Sequence, residues 1–110
     1  MISLPKIDDP RGNLSFIEHG PHGACPFVPG TVAWIYDLSA GESWNCGSKP
    51  VRRMVVAMSG SFEAVAAAGD TSTGEWLSRS DRAVVVEPNF DLTLRGFSTN
   101  AVALIIEEAI

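Results

Sequence analysis

The stretch 46-CGSKPVRRMVVAMSGSFEAVAA-67 decides the fold. It holds two short runs rich in Val, Ala, Met and Phe, Val51–Met58 and Phe62–Ala67, separated by Ser59-Gly60-Ser61. Runs this short, bounded by Gly and Ser and lacking a helical period, read as strands, and Ser59-Gly60 reads as a tight hairpin. Working outward, similar runs recur at Leu14–Glu18, Thr31–Leu38, Glu75–Ser78, Ala83–Glu87, Leu92–Phe97 and Ala101–Glu107. Turn signals fall between them at Ala68-Gly69-Asp70, Ser72-Thr73-Gly74 and Glu87-Pro88-Asn89. Many short strands with frequent turns predict an all-β antiparallel sandwich or barrel, with a jelly roll as the favoured small solution.

The 110 residues suffice for one domain, 1–110, with a core that needs neither metal nor disulfide. The two cysteines, Cys25 and Cys46, are therefore read as reduced thiols. A formal net charge of −5, with no basic cluster beyond Arg52-Arg53, removes the usual footprint for nucleic acid or an anionic membrane. No run is long enough to span a bilayer and the N-terminus lacks a basic region followed by an apolar core, so a cytoplasmic location is expected.

Barrels of the cupin type commonly carry His-x-His, four residues, Glu, six residues and Gly, with the ligands converging on a metal inside the barrel. Here that spacing survives as Cys46-x-Ser48-x₄-Arg53-x₆-Gly60, with every ligand type replaced. A hydroxyl and a guanidinium do not make a divalent-ion site, so neither metal nor other cofactor is expected.

Further residues carry a more specific likeness: Asp9-Pro10-Arg11-Gly12-Asn13-Leu14, Phe16-Ile17-Glu18, Pro26-Phe27, Val32-x-Trp34-Ile35-Tyr36-Asp37, Met58-Ser59-Gly60-Ser61 and Gly96-Phe97-Ser98. Together they resemble the WxcM-like cupins, typified by dTDP-4-keto-6-deoxyhexose 3,4-ketoisomerases. The resemblance implies a double-stranded β-helix barrel, a homodimer, a dTDP-sugar or other anionic small-molecule ligand, and a role in deoxysugar biosynthesis. It also implies carbonyl transfer through an enediol by a metal-free histidine base near a tyrosine.

Laid onto this chain, the histidine pair falls at Cys46 and Ser48, the Tyr-Tyr pair at Ala33-Trp34, and a later aromatic-His pair at Asp91-Leu92. Arg11 stands where the family places a residue able to meet sugar or phosphate. Arg11, Trp34, Cys46, Ser48, Arg53 and Asp91 are thus the ligand-binding candidates, with no catalytic residue assigned. Two functions follow: a keto-sugar isomerase working with substitute groups, or a catalytically silent cupin kept for binding or structure.

Each candidate also has a plainer reading. Arg11 can be a turn residue paired with Asp8 or Asp9, Trp34 a core or rim aromatic, and Cys46 an unreactive thiol. Arg53 shares a face with Val55 and Ala57, so its buried charge calls for Glu42, Glu63, Asp91 or a bound anion, while Arg52 faces solvent. His19 and His22 belong to a Gly/Pro-rich surface loop.

Overall fold

Alternation along Arg53–Ser59 gives the architecture its central strand. In the computed structural model, which describes residues 1–110, Val55 and Ala57 face one buried layer and Met54 and Val56 another. Such a strand must lie in the middle of a sheet covered on both sides.

Eleven strands form: β1 Ile2–Ser3, β2 Lys6–Asp9, β3 Gly12–Ser15, β4 Pro29–Ile35, β5 Trp44–Ser48, β6 Arg53–Ser59, β7 Phe62–Ala68, β8 Thr71–Leu77, β9 Arg82–Val86, β10 Asp91–Arg95 and β11 Val102–Glu108. All pairings between strands are antiparallel. A large sheet has the order β1-β9-β6-β11-β4, a small sheet β5-β10-β7-β8, and β2-β3 is a separate hairpin. No helix is long and apolar enough to cross a membrane.

The main core fills the space between the sheets, with Val55, Ala57, Phe62, Leu77, Leu92, Leu94, Phe97 and Ile105 among its members. Phe62 and Phe97 pack with ring centroids 5.2 Å apart, a tilted geometry suited to aromatic quadrupoles. A second core, including Met54, Val56, Ala83 and Ile106, lies on the outer face of the large sheet under Leu4, Cys25 and Phe27. Residues 17–28, with the two exposed histidines, belong to that outer side.

Ser59-Gly60 is not a hairpin. β6 belongs to the large sheet and β7 to the small one, so the turn carries the chain across the barrel. Gly60 has φ +70°, and an added Cβ would collide with Ser98 Oγ, so the crossing needs glycine. Local turn chemistry looks the same for a hairpin and a crossing, because which sheet each strand joins is decided by distant partners. The Gly69-Asp70 turn does form a hairpin, joining β7 to β8 through the Ala68–Thr71 pair.

Candidate functional site

β5 is an edge strand of the small sheet and β4 an edge strand of the large one. Cross-strand partners share a face, so Ala33, opposite Ile105, and Thr31, opposite Glu107, both point toward the interior. Both are nevertheless exposed, whereas Ile105 beside them is buried. The barrel is open along the seam between β4 and β5, and small side chains line its large-sheet edge.

The opposite wall of the seam contains a bulge. β5 pairs with β10 as Ser48–Asp91, Gly47–Leu92, Asn45–Thr93 and Trp44–Leu94, which leaves Cys46 as the extra residue. Gly47 takes φ +73°, a conformation in which glycine avoids the Cβ clash other residues incur. Cys46 packs against the inner core, while Ser48 shares the outer face with Asp91. The bulge thus separates the two positions that the spacing placed together.

Arg53 occupies the interior behind this bulge, with 1% of its surface exposed. Its Nη2 donates to the carbonyls of Gly47 at 3.0 Å and Phe90 at 2.8 Å, and Nη1 donates to that of Cys46 at 3.4 Å. Nε has no partner. The expected carboxylate is elsewhere engaged: Glu63 accepts from Arg95 at 2.7 Å, and Asp91 accepts from Asn45 at 3.0 Å on the outer face. Glu42 lies exposed in the loop before β5. Two main-chain carbonyls of the bulge and that of Phe90 hold the terminal nitrogens of Arg53, so the guanidinium ties β6 to the edge of the small sheet while Nε stays unpaired. Arg52, expected to be solvated, instead grips Glu108 at 2.7 Å and lies 5.6 Å from the centroid of the Phe27 ring.

Two seam residues were absent from the sequence-based candidates. Glu107, on the interior row opposite Arg53, receives a 2.8 Å bond from Lys49 Nζ, which reaches across from just beyond β5. The Glu107 side chain keeps 21% exposure and that of Lys49 46%, so the pair stands at the opening rather than in the core. Alternation from Ala103 through Ile105 to Glu107 was a signal that could have placed this carboxylate inside. The Lys49 contact, 58 residues away in sequence, carried none.

Burial pushes the Cys46 thiol above its ordinary value, against the lowering effects of Arg53 and Lys49, with Glu107 and Asp91 adding to the rise. Cys46 is a protonated thiol at neutral pH. The guanidinium does not activate it.

The remaining candidates lie apart. Trp34 is 59% exposed on the outer face of the large sheet, paired with Leu104; the interior residue of its dipeptide is Ala33. Arg11, at the tip of the β2-β3 hairpin, folds back on Asp9 at 2.9 Å, and this bond holds the Asp9 carboxyl below its usual range. A cavity of about 710 Å³ lies under that hairpin on the outer side, over Val56, Met58 and Leu104 and beside Arg79. No group of three His, Cys, Asp or Glu side chains gathers anywhere.

The whole chain, residues 1–110, matches the family model described as FdtA: WxcM-like, C-terminal. The chain belongs to the WxcM-like family. A search of curated proteins finds no significant match. Among solved structures, a 3,4-ketoisomerase from Helicobacter canadensis superposes with a TM-score of 0.87 at 23% identity, covering 98% of this chain and 80% of that one. The WlaRB TDP-quinovose 3,4-ketoisomerase from Campylobacter jejuni gives 0.86 at 24% identity, covering 98% and 82%. The ketoisomerase QdtA from Thermoanaerobacterium thermosaccharolyticum, as a mutant in complex with TDP-4-keto-6-deoxyglucose, gives 0.88 at 18% identity, covering 99% and 78%. These likenesses establish the cupin-type jelly roll. Within this WxcM-like chain, the interior positions facing the seam include Thr31, Ala33, Cys46, Arg53 and Glu107, none of them histidine or tyrosine.

Proposed function

We propose that residues 1–110 act as one cupin unit that takes a TDP-linked 4-keto sugar at the β4-β5 seam, as a 3,4-ketoisomerase-like protein of deoxysugar biosynthesis without the histidine base. The observation that carries this is the open seam, where exposed Thr31 and Ala33 face the interior next to Glu107, Lys49 and Cys46. A cupin of this family is expected to bind between its sheets, and the seam is one place where solvent reaches that space. The protein is proposed to be cytoplasmic and to need no metal or other cofactor, since the group at the usual Glu position is a cation that repels one.

A second reading, a catalytically silent cupin that binds its ligand or serves a structural role, draws on Arg53. The side chain that replaces an interior carboxylate is spent on three main-chain carbonyls and has no acceptor atom to take a proton. Incubation with TDP-4-keto-6-deoxyglucose followed by NMR separates the two readings. Isomerisation by this protein is expected to be weak, because loss of a general base commonly removes about 10²–10⁴-fold. A rate like that of ordinary ketoisomerases would mean that a full catalytic base is in place. Thermal shift with TDP tests binding alone, and no stabilisation at millimolar TDP would remove the ligand class.

The unit is further proposed to pair with a second copy. Val32, Trp34 and Met58 are large apolar side chains left about half exposed on the outer side of the large sheet, and β4 has an unpaired edge.

A further inference from the structure

The Lys49–Glu107 pair is the only ion pair of the protein that spans the two sheets at the seam. The other six join neighbours on one sheet, hairpin or turn, or lie at the far side of the large sheet. Glu107 faces inward on the row of Arg53, and the Thr31 position opposite it on β4 is small and exposed, so a ligand atom can approach the carboxylate from the open side. Across the seam stand the Lys49 ammonium and, behind it, the buried Arg53 guanidinium with no carboxylate of its own. An acid and a base facing one opening, in a positive field that favours an enediolate, are the parts an enolisation needs.

Resting on the ketoisomerase-like reading above, we infer that Glu107 is the catalytic base and Lys49 the catalytic acid of a slow 3,4-isomerisation at this seam. In the first step the Glu107 carboxylate takes the proton from C3 of the 4-keto sugar. The C3–H electron pair becomes the C3=C4 bond, and O4 gains a proton from the Lys49 ammonium, giving the neutral 3,4-enediol. In the second step the Glu107 carboxyl returns its proton to C4, the Lys49 amine takes the O3 hydroxyl proton, and the carbonyl stands at C3. Both side chains end as they began, and no oxidant or reductant is consumed. Burial leaves Cys46 a neutral thiol and the Arg53 guanidinium has no acceptor atom, so neither competes for the base role.

The test uses the full chain with TDP-4-keto-6-deoxyglucose in D₂O, reading deuterium entry at C3 by NMR against a protein-free blank, with TDP thermal shifts run in parallel. Exchange above the blank is expected, falling by about 10²-fold or more in Glu107→Gln. Formate is expected to restore part of it in Glu107→Ala, which a merely structural carboxylate would not allow. A Glu107→Gln melting temperature equal to that of the wild type separates lost chemistry from lost folding. If the wild type exchanges and Glu107→Gln exchanges equally, the inference fails while the ketoisomerase-like reading stands. If TDP stabilises the protein but no exchange exceeds the blank, the inference fails and the silent binding protein remains. Absence of any TDP effect overturns both.

Discussion

Arg53 illustrates how a buried cation can be housed without an anion. Its stem runs along the inner face beside Val55, and its head is met by carbonyls of Cys46, Gly47 and Phe90. Removing it would leave those acceptors facing a void. Arg53→Ala is therefore expected to cost about 3 kcal/mol or more, combining the large-to-small penalty with lost hydrogen bonds, as urea unfolding would show. A loss below about 1 kcal/mol would mean that the three contacts do not tie the sheets. Because all three go to main chain, a TDP-induced thermal shift is expected to survive in Arg53→Lys. At Cys46, alkylation by iodoacetamide at pH 7.5 is expected to run slower than for a free cysteine, since burial holds the thiol protonated. A rate above that of free cysteine would contradict this environment.

Among the elements, β5 is the decisive one and the least legible. Its sequence, Trp-Asn-Cys-Gly-Ser, has no β-branched residue and no alternation, so propensity gives no strand there. It forms because β10 supplies an alternating partner, Leu92 and Leu94 inward and Asp91 and Thr93 outward. β6, β7 and β11 were readable because their residues are themselves apolar and β-prone. The spacing Cys46-x-Ser48 was readable as well, but its consequence was not: the Gly47 bulge turns Ser48 outward, and a bulge depends on the register with β10. Likewise the inward direction of Arg53 followed from alternation, whereas its carbonyl partners depended on the β5 bulge and on the turn before β10. Gly47→Ala should cost about 1–2 kcal/mol for the positive φ alone, since an added Cβ meets nothing within 4 Å. Gly41, at φ +81° and equally open, provides the comparison. Gly47→Ala is expected to exceed Gly41→Ala in denaturant unfolding, because it also disturbs two carbonyls that hold Arg53. Equal losses would mean that the bulge carries strain only.

Over the whole molecule, acidity and assembly are the properties that follow. Bonds from Arg11 hold Asp9 below its usual range, and those from Arg52 do the same for Glu108. Burial pushes the Asp81 carboxyl up, but the bond to Arg79 and the charges of Arg79 and Arg82 outweigh it, leaving a net lowering. For each, the folded state binds its proton less readily than the unfolded chain. Their stabilisation is therefore complete above the unfolded carboxylate range, near pH 4, and is lost as pH falls through the lower folded values. A melting temperature flat from pH 7 to 5 and falling below about 4 is expected; a fall beginning near pH 6 would contradict this. Light scattering on a sizing column is expected to give a dimer of 11.7 kDa chains, with Trp34→Lys shifting it toward monomer. A monomeric wild type at micromolar concentration would leave the outer apolar face without a second copy.

On the function proposed above, the ligand enters at the β4-β5 seam rather than at the cavity under the N-terminal hairpin. Titration of the ¹⁵N-labelled full chain with TDP, followed by amide chemical shifts, addresses it directly. The expected result is a saturable set of shifts centred on Thr31, Ala33, Cys46, Lys49 and Glu107. Shifts confined to Phe16, Met58 and Arg79 around the outer cavity, or none at millimolar TDP, would contradict the account.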